Sequence, residues 1–186
     1  MSIRQVGRHA IRLSLARVAF EQFCLQGFSR VTFDELASSA GVSRSTFLRH
    51  FRTKEDAILF VFDLVGRTAG SALAAGDDQE PADRLPAAVR AAAEQLLRDT
   101  PELPAVMQLI QSTPELRAGL FAKQSEWIDE ALAAVSSGPP GTDALVLEVR
   151  LACGFACLIV ALRRWSAEAD VESLGSVLDR TLLDVL

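Results

Sequence analysis

The chain has 186 residues, 49% of them hydrophobic and 23% charged, with a net charge of −5. That composition supports a buried core and excludes a disordered or low-complexity chain, while three cysteines are too few for a disulfide framework. The charge is unevenly placed: Met1 to Asp56 carries nine Lys/Arg against five acids, and the remainder carries ten against nineteen. A basic head on an acidic body points to a polyanionic partner for the head.

No sustained period-2 pattern occurs, and the helical period dominates throughout. It predicts an all-α protein of about nine helices. The first spans about Val6 to Gln26, with Ile11, Leu15, Val18, Ala19, Phe20 and Phe23 at three- and four-residue steps and Gly27 closing it. Thr32 caps a short second helix, with Glu35 completing a capping box, and that helix ends near Ser39. After Ala40-Gly41-Val42, Ser43 caps a third helix through about His50. Thr53 caps a long fourth helix from Lys54 to about Ala75, in which Gly66 and Gly70 suit close packing or flexing.

Asp77 to Asp83 reads as a polar linker, and a helix follows from near Pro81 to about Arg98. Thr-Pro-Glu-Leu occurs at Thr100–Leu103 and Thr113–Leu116, each read as an N-cap, a proline at the first helical position and an acid in the first turn. The helix from Pro114 ends near Ser137, before the loop Ser136–Gly141. The last two helices span about Thr142–Ala167 and Asp170–Val185. Within them Leu151–Leu162 is the longest uncharged apolar run of the back half. Its 12 residues fall short of the about 20 needed to span a bilayer. With no apolar core of a signal peptide in MSIRQVGRHA, the expected place is the cytoplasm, with no membrane contact.

The segment Val31–Asp56, VTFDELASSAGVSRSTFLRHFRTKED, predicts two short capped helices joined by a glycine turn, the pattern of a helix-turn-helix. Leu36, Ala37, Val42, Phe47 and Phe51 fall on inward faces. Arg44, Ser45, Thr46 and Arg49 fall outward, as hydroxyls and guanidinium forks of the types that reach base edges and phosphates.

This segment resembles the N-terminal domain of the tetracycline-repressor family. The matching residues are Phe23 and Gly27-Phe28, then Thr32, Leu36-Ala37, Ala40-Gly41-Val42-Ser43, Phe47, Phe51 and Lys54-Glu55. The resemblance implies a three-helix DNA-binding domain over residues 1–54. Behind it, residues 55–186 would form a helical effector-binding and dimerisation domain. Arg44, Thr46 and Arg49 are then candidates for base contact, with Ser45 as the small residue beside them. Ser43, His50, Lys54 and the helix start at Thr32 are candidates for phosphate contact. The chain departs from the family at Leu48, where a phosphate-reaching tyrosine is usual, and at Arg52, often a proline. Leu48 suits a thymine methyl, and Arg52 suits the phosphate that Leu48 cannot hold. Arg4, Arg8 and Arg12 lie either along DNA or in a solvated tail.

The resemblance also implies dimerisation through the last two helices and a small effector in a central pocket. Leu145, Val149, Ala152, Ala156 and Ile159, with Leu174, Val177, Leu178 and Leu182, are the interface candidates; a monomeric core is the other reading. Met107, Ile110, Phe121, Trp127, Phe155 and Trp165 are pocket candidates, each also plain core. Cys153 and Cys157 share a helix face and read as packing residues. Both histidines, His9 and His50, are in the head and tyrosine is absent, so no enzyme, metal site or cofactor is expected. The function implied is a ligand-responsive homodimeric repressor on an inverted-repeat operator of double-stranded DNA. A ligand-independent regulator or activator, or an interaction module without DNA binding, is the alternative.

Overall fold

The computed structural model describes residues 3–75, 80–135, 144–167 and 172–183, with side chains from Gly7 onward. Among these residues the structure is helical, without strands. The helices are α1 (Ile3–Gln26), α2 (Phe33–Ser39), α3 (Arg44–His50), α4 (Lys54–Leu59), α5 (Val65–Ala74), α6 (Leu85–Asp99), α7 (Leu103–Ser112), α8 (Pro114–Val135), α9 (Ala144–Ala167) and α10 (Leu174–Leu183). The expected loop Ser136–Gly141 and the first part of the linker, residues 77–79, lie outside the described residues, as does Val185.

Helices α1 to α3 form the head, with Leu15, Ala19, Phe23, Phe28, Val31, Leu36, Ala37, Phe47 and Phe51 as its buried core. Helices α5 to α10 form the body, and α4 packs on both α1 and α8. Capping follows the local rules at the head. Thr32 closes the expected box with Glu35, and Ser43 and Thr53 accept the N3 backbone N–H of α3 and α4. Gly41 turns the chain at φ +66°, a left-handed conformation that costs glycine nothing.

The expected fourth helix is present in two pieces. A 3-10 turn, Phe60–Phe62, separates α4 from α5. The tighter turn lets two phenylalanines only two residues apart both face inward. Phe60 meets Phe51 in the head at 5.8 Å, and Phe62 meets Trp127 in the body at 6.2 Å. The Trp127 indole N–H donates to the Phe62 carbonyl at 3.1 Å, so the large ring is buried with its polar atom satisfied.

Gly66 and Gly70 serve close packing. A Cβ at Gly66 would stand 2.5 Å from the Trp127 Cα, and one at Gly70 would stand 3.0 Å from the Ala131 Cα. Helices α5 and α8 therefore cross backbone against backbone.

The two Thr-Pro-Glu-Leu segments differ. Thr113 and Pro114 start α8 as expected, with Glu115 in the first turn. Thr100 instead ends α6, and α7 begins at Leu103 with Pro104 in its first turn. Pro104, three residues after Pro101, sits in that first turn, where its missing N–H would be unpaired in any case.

Helix α9 runs through the body against α6, α7, α8 and α10. It and the stretch Lys54–Ala74 are long and apolar enough to cross a membrane by length and composition, yet half or more of each is buried inside the protein. The 12-residue run thus understates the apolar length of α9, because Leu147 and Leu151 are buried on either side of Glu148, which stays exposed, and Arg150, which is half-buried.

The candidate interface residues separate by burial. Leu145, Val149 and Ala156 are exposed on α9 and Ala152 is half-buried, whereas Ile159, Leu174, Val177, Leu178 and Leu182 are buried. The last five are covered by their own chain, because α10 packs into the groove between α6 and α9, where Asp179 pairs with Arg90 of α6. They are core, not open face.

Candidate nucleic-acid interface

Helix α3 stands with Phe47 and Phe51 anchored inward and its other side open. Phe47 is fully buried and touches Phe33 at 6.1 Å and Phe51 at 5.7 Å, aromatic contacts that set the helix orientation. On the far side Ser43, Arg44, Ser45 and Arg49 are exposed, Thr46 and Leu48 are half-buried, and Arg52 is exposed just past the end of the helix. The Arg44 guanidinium meets Asp34 at 3.4 Å while 60% of its side chain stays exposed, a loose surface pair that can exchange for a phosphate or a base.

The cap hydroxyls are engaged locally. Thr32 Oγ1 and its backbone N–H both donate to Glu35, at 2.8 and 2.7 Å, and these bonds hold the Glu35 carboxyl below the usual carboxylate range. Ser43 Oγ donates to Thr46 Oγ1 at 3.0 Å and accepts the Thr46 backbone N–H at 3.2 Å.

Two phosphate candidates stand elsewhere. The Lys54 ammonium points back into the head and donates to the Phe28 and Val31 carbonyls, at 2.9 and 3.0 Å, with the Phe28 ring 4.8 Å away. It fastens the α1–α2 turn to α4, and a phosphate would have to displace both carbonyls. Lys54→Ala is expected to lower stability by about 1.5–3 kcal/mol, the usual worth of charge-assisted bonds, seen as an earlier urea midpoint. The salt slope of DNA binding is expected to stay as it was, since no phosphate contact is lost.

His50 faces the side between head and body. Partial burial, followed by Arg49, Arg12 and Arg8, holds its pKa below the ordinary histidine value. Arg8 and Arg49 line the same space. Arg12 lies against the protein: its guanidinium stacks 4.0 Å over Phe60 and pairs with Asp63 at 3.2 Å. Sequence reasoning missed Asp63 and Lys123, which meet at 2.8 Å across 60 residues of chain. Only the tertiary fold unites them. The Arg4 side chain lies outside the described residues.

In the body, Met107, Ile110, Trp127 and Phe155 are buried, and the Trp127 and Phe155 rings meet at 5.6 Å. Trp165 is half-buried. Phe121 is 61% exposed on α8 and belongs to no interior wall, because that helix turns Leu116, Leu120, Trp127 and Ala131 inward instead. Cys153 and Cys157 are free thiols, and burial pushes the Cys157 thiol up, away from reactivity.

Residues 15–59 match the model of the family described as bacterial regulatory proteins, tetR family, and residues 79–186 match the MftR C-terminal domain. Among curated proteins none matches the chain. Solved structures share the fold. A TetR-family regulator from Streptomyces coelicolor is 18% identical with a TM-score of 0.58, over 94% of this chain and 92% of that one. FadR of Thermus thermophilus, a TetR-family transcriptional repressor solved with lauroyl-CoA, is 26% identical with a TM-score of 0.56, over 92% and 91%. The SmeT–triclosan complex is 18% identical with a TM-score of 0.55, over 95% and 92%. SmeT is the repressor of a Stenotrophomonas maltophilia multidrug efflux pump.

Proposed function

The chain belongs to the tetR family of bacterial regulatory proteins, and from that premise we propose that it is a cytoplasmic, homodimeric repressor that binds an inverted-repeat operator and responds to a small molecule. The observation that carries the reading is the outward face of α3. Arg44 and Arg49 project from a short helix whose inner side is locked by Phe47 and Phe51, a geometry that presents side chains to a major groove. In this reading the head, residues 1–54, binds DNA, and residues 55–186 bind the effector and the second subunit.

The dimer reading rests on α9. Leu145 is 66% exposed, Val146 and Val149 are exposed beside it, and Ala152 and Ala156 continue the same face. A stripe of large apolar residues at one end and small ones along its length suits a second copy of the helix packed closely about a two-fold axis. Two heads held one helical turn apart, about 34–36 Å, would then meet successive major grooves. The effector reading draws on FadR and SmeT, solved with lauroyl-CoA and triclosan. An effector that favours another head separation would shift the dimer away from DNA.

Leu48 favours a second reading. It lacks a hydrogen-bonding group at a half-exposed position of the recognition helix, so an interaction module without DNA binding is the competing function. Electrophoretic shift with the chain's own upstream region separates the two. Wild-type binding is expected, and Arg44→Ala is expected to weaken it about tenfold or more, the loss of one good base contact of about 1–3 kcal/mol. Equal binding by Arg44→Ala would remove this helix face from recognition, and no binding at low salt would leave the interaction module.

A further inference from the structure

Between the inner edge of α3 and the body lies a cavity of about 370 Å³, within the range of about 300–1,000 Å³ usual for small-molecule sites. Arg8, Arg12, Arg49, His50, Arg52, Asp56, Asp63 and Lys123 line it, so five permanent cations face two carboxylates. Both carboxylates are already engaged. Asp56 accepts the backbone N–H groups of Arg52 and Thr53, at 3.0 and 3.1 Å. Asp63 takes Arg12 on one oxygen and Lys123 on the other, at 3.2 and 2.8 Å. Glu126, outside the lining, adds a second partner to Lys123 at 2.7 Å.

The guanidinium groups of Arg8, Arg49 and Arg52 have no carboxylate partner among the described residues, and the Arg12 Nε is buried without a hydrogen-bond partner there. Guanidinium forks gathered around one concave space repel one another until an anion enters, and they match phosphate oxygens in pairs. The same positive field adds to burial in lowering the His50 pKa.

We propose that this cleft binds a small molecule carrying a diphosphate or a comparable polyanion. Three unpaired guanidiniums and a buried Nε offer more donors than one phosphate monoester can accept. The floor is reached only past the rim: Lys123 and Asp63 are each 21% exposed in their side chains and belong to the body, a concavity that the convex backbone of a duplex does not enter. Arg49 stands both on α3 and in the cleft wall. An anion that holds it there, and that competes with Asp63 for Arg12 and Lys123, changes how the head sits on the body. This effector role rests on the regulator reading above; the binding site itself does not.

The test is calorimetric titration of the full chain with sodium pyrophosphate at low salt and without DNA. Saturable binding is expected, weakened tenfold or more by Arg8→Gln and by Arg52→Gln. Both are exposed or unpaired side chains whose loss is expected to leave the thermal midpoint in place. Arg44→Gln, on the outer face, is expected to bind pyrophosphate like the wild type. No binding at millimolar pyrophosphate, or equal loss in Arg44→Gln, would overturn the site. So would loss of duplex affinity in Arg8→Gln and Arg52→Gln in a chain that ignores pyrophosphate, which would make the cleft part of the DNA surface. Pyrophosphate binding without any duplex binding would uphold the site and sink the regulator reading instead.

Discussion

Alanine at Phe47 is expected to abolish DNA binding while leaving the body folded. Phe47 is fully buried at the point where α3 meets α2, and its ring starts a chain of aromatic contacts through Phe51 to Phe60. Truncating a buried phenylalanine costs about 3–5 kcal/mol, from lost transfer energy and the cavity left behind. The whole stability of a domain is about 5–15 kcal/mol, and a head of three helices sits at the low end. The body keeps its own core around Trp127, Phe155 and Leu158, so it does not follow. Calorimetry is expected to show an early transition for the head and a late one for the body, with no shifted operator band. Phe47→Leu, which keeps most of the volume, is expected to retain binding. A single unchanged melting transition for Phe47→Ala, with wild-type operator affinity, would mean that this ring does not fix the recognition helix.

The head was readable because its signals are local. A cap and its N3 partner are three residues apart, so Thr32–Glu35, Ser43 and Thr53 could be placed from spacing alone, and Gly41 marked the left-handed turn. The parts that were not readable depend on partners distant in sequence. The break at Phe60–Phe62 answers to Trp127, 65 residues away from the carbonyl it bonds. Lys54 matched a surface pattern, yet its ammonium finds two carbonyls more than twenty residues upstream. On α10 the periodicity identified an apolar face but could not say whether α6 and α9 or another subunit covers it. The uneven charge was legible as a number. That Arg8, Arg49 and Arg52 surround one space, with Lys123 of the body as its floor, is visible only in the fold.

Gly66 offers a substitution whose sign separates two roles. As a flexing point, Gly66→Ala would raise stability, because alanine reduces the freedom of the unfolded chain and favours helix by up to about 1 kcal/mol. The structure leads to the opposite expectation. The added Cβ would meet the Trp127 Cα at 2.5 Å and the Trp127 carbonyl oxygen at 2.8 Å, and backbone cannot swing aside as a side chain can. Only the Glu130 carboxylate, also 2.8 Å away, is free to move. Helices α5 and α8 must therefore separate, which loosens Trp127 from Phe155 and stretches its bond to the Phe62 carbonyl. Overpacking of this kind costs about 1–3 kcal/mol and outweighs the gain in helix propensity. Gly66→Ala is thus expected to lower the thermal midpoint by several degrees, at about 2–4 °C per kcal/mol for a chain of this size, and Gly66→Val by more. Trp127 fluorescence, followed in a Trp165→Phe background, is expected to shift toward the red as the indole loses its cover. A raised midpoint with unchanged fluorescence would show that α5 and α8 have room to spare at this crossing.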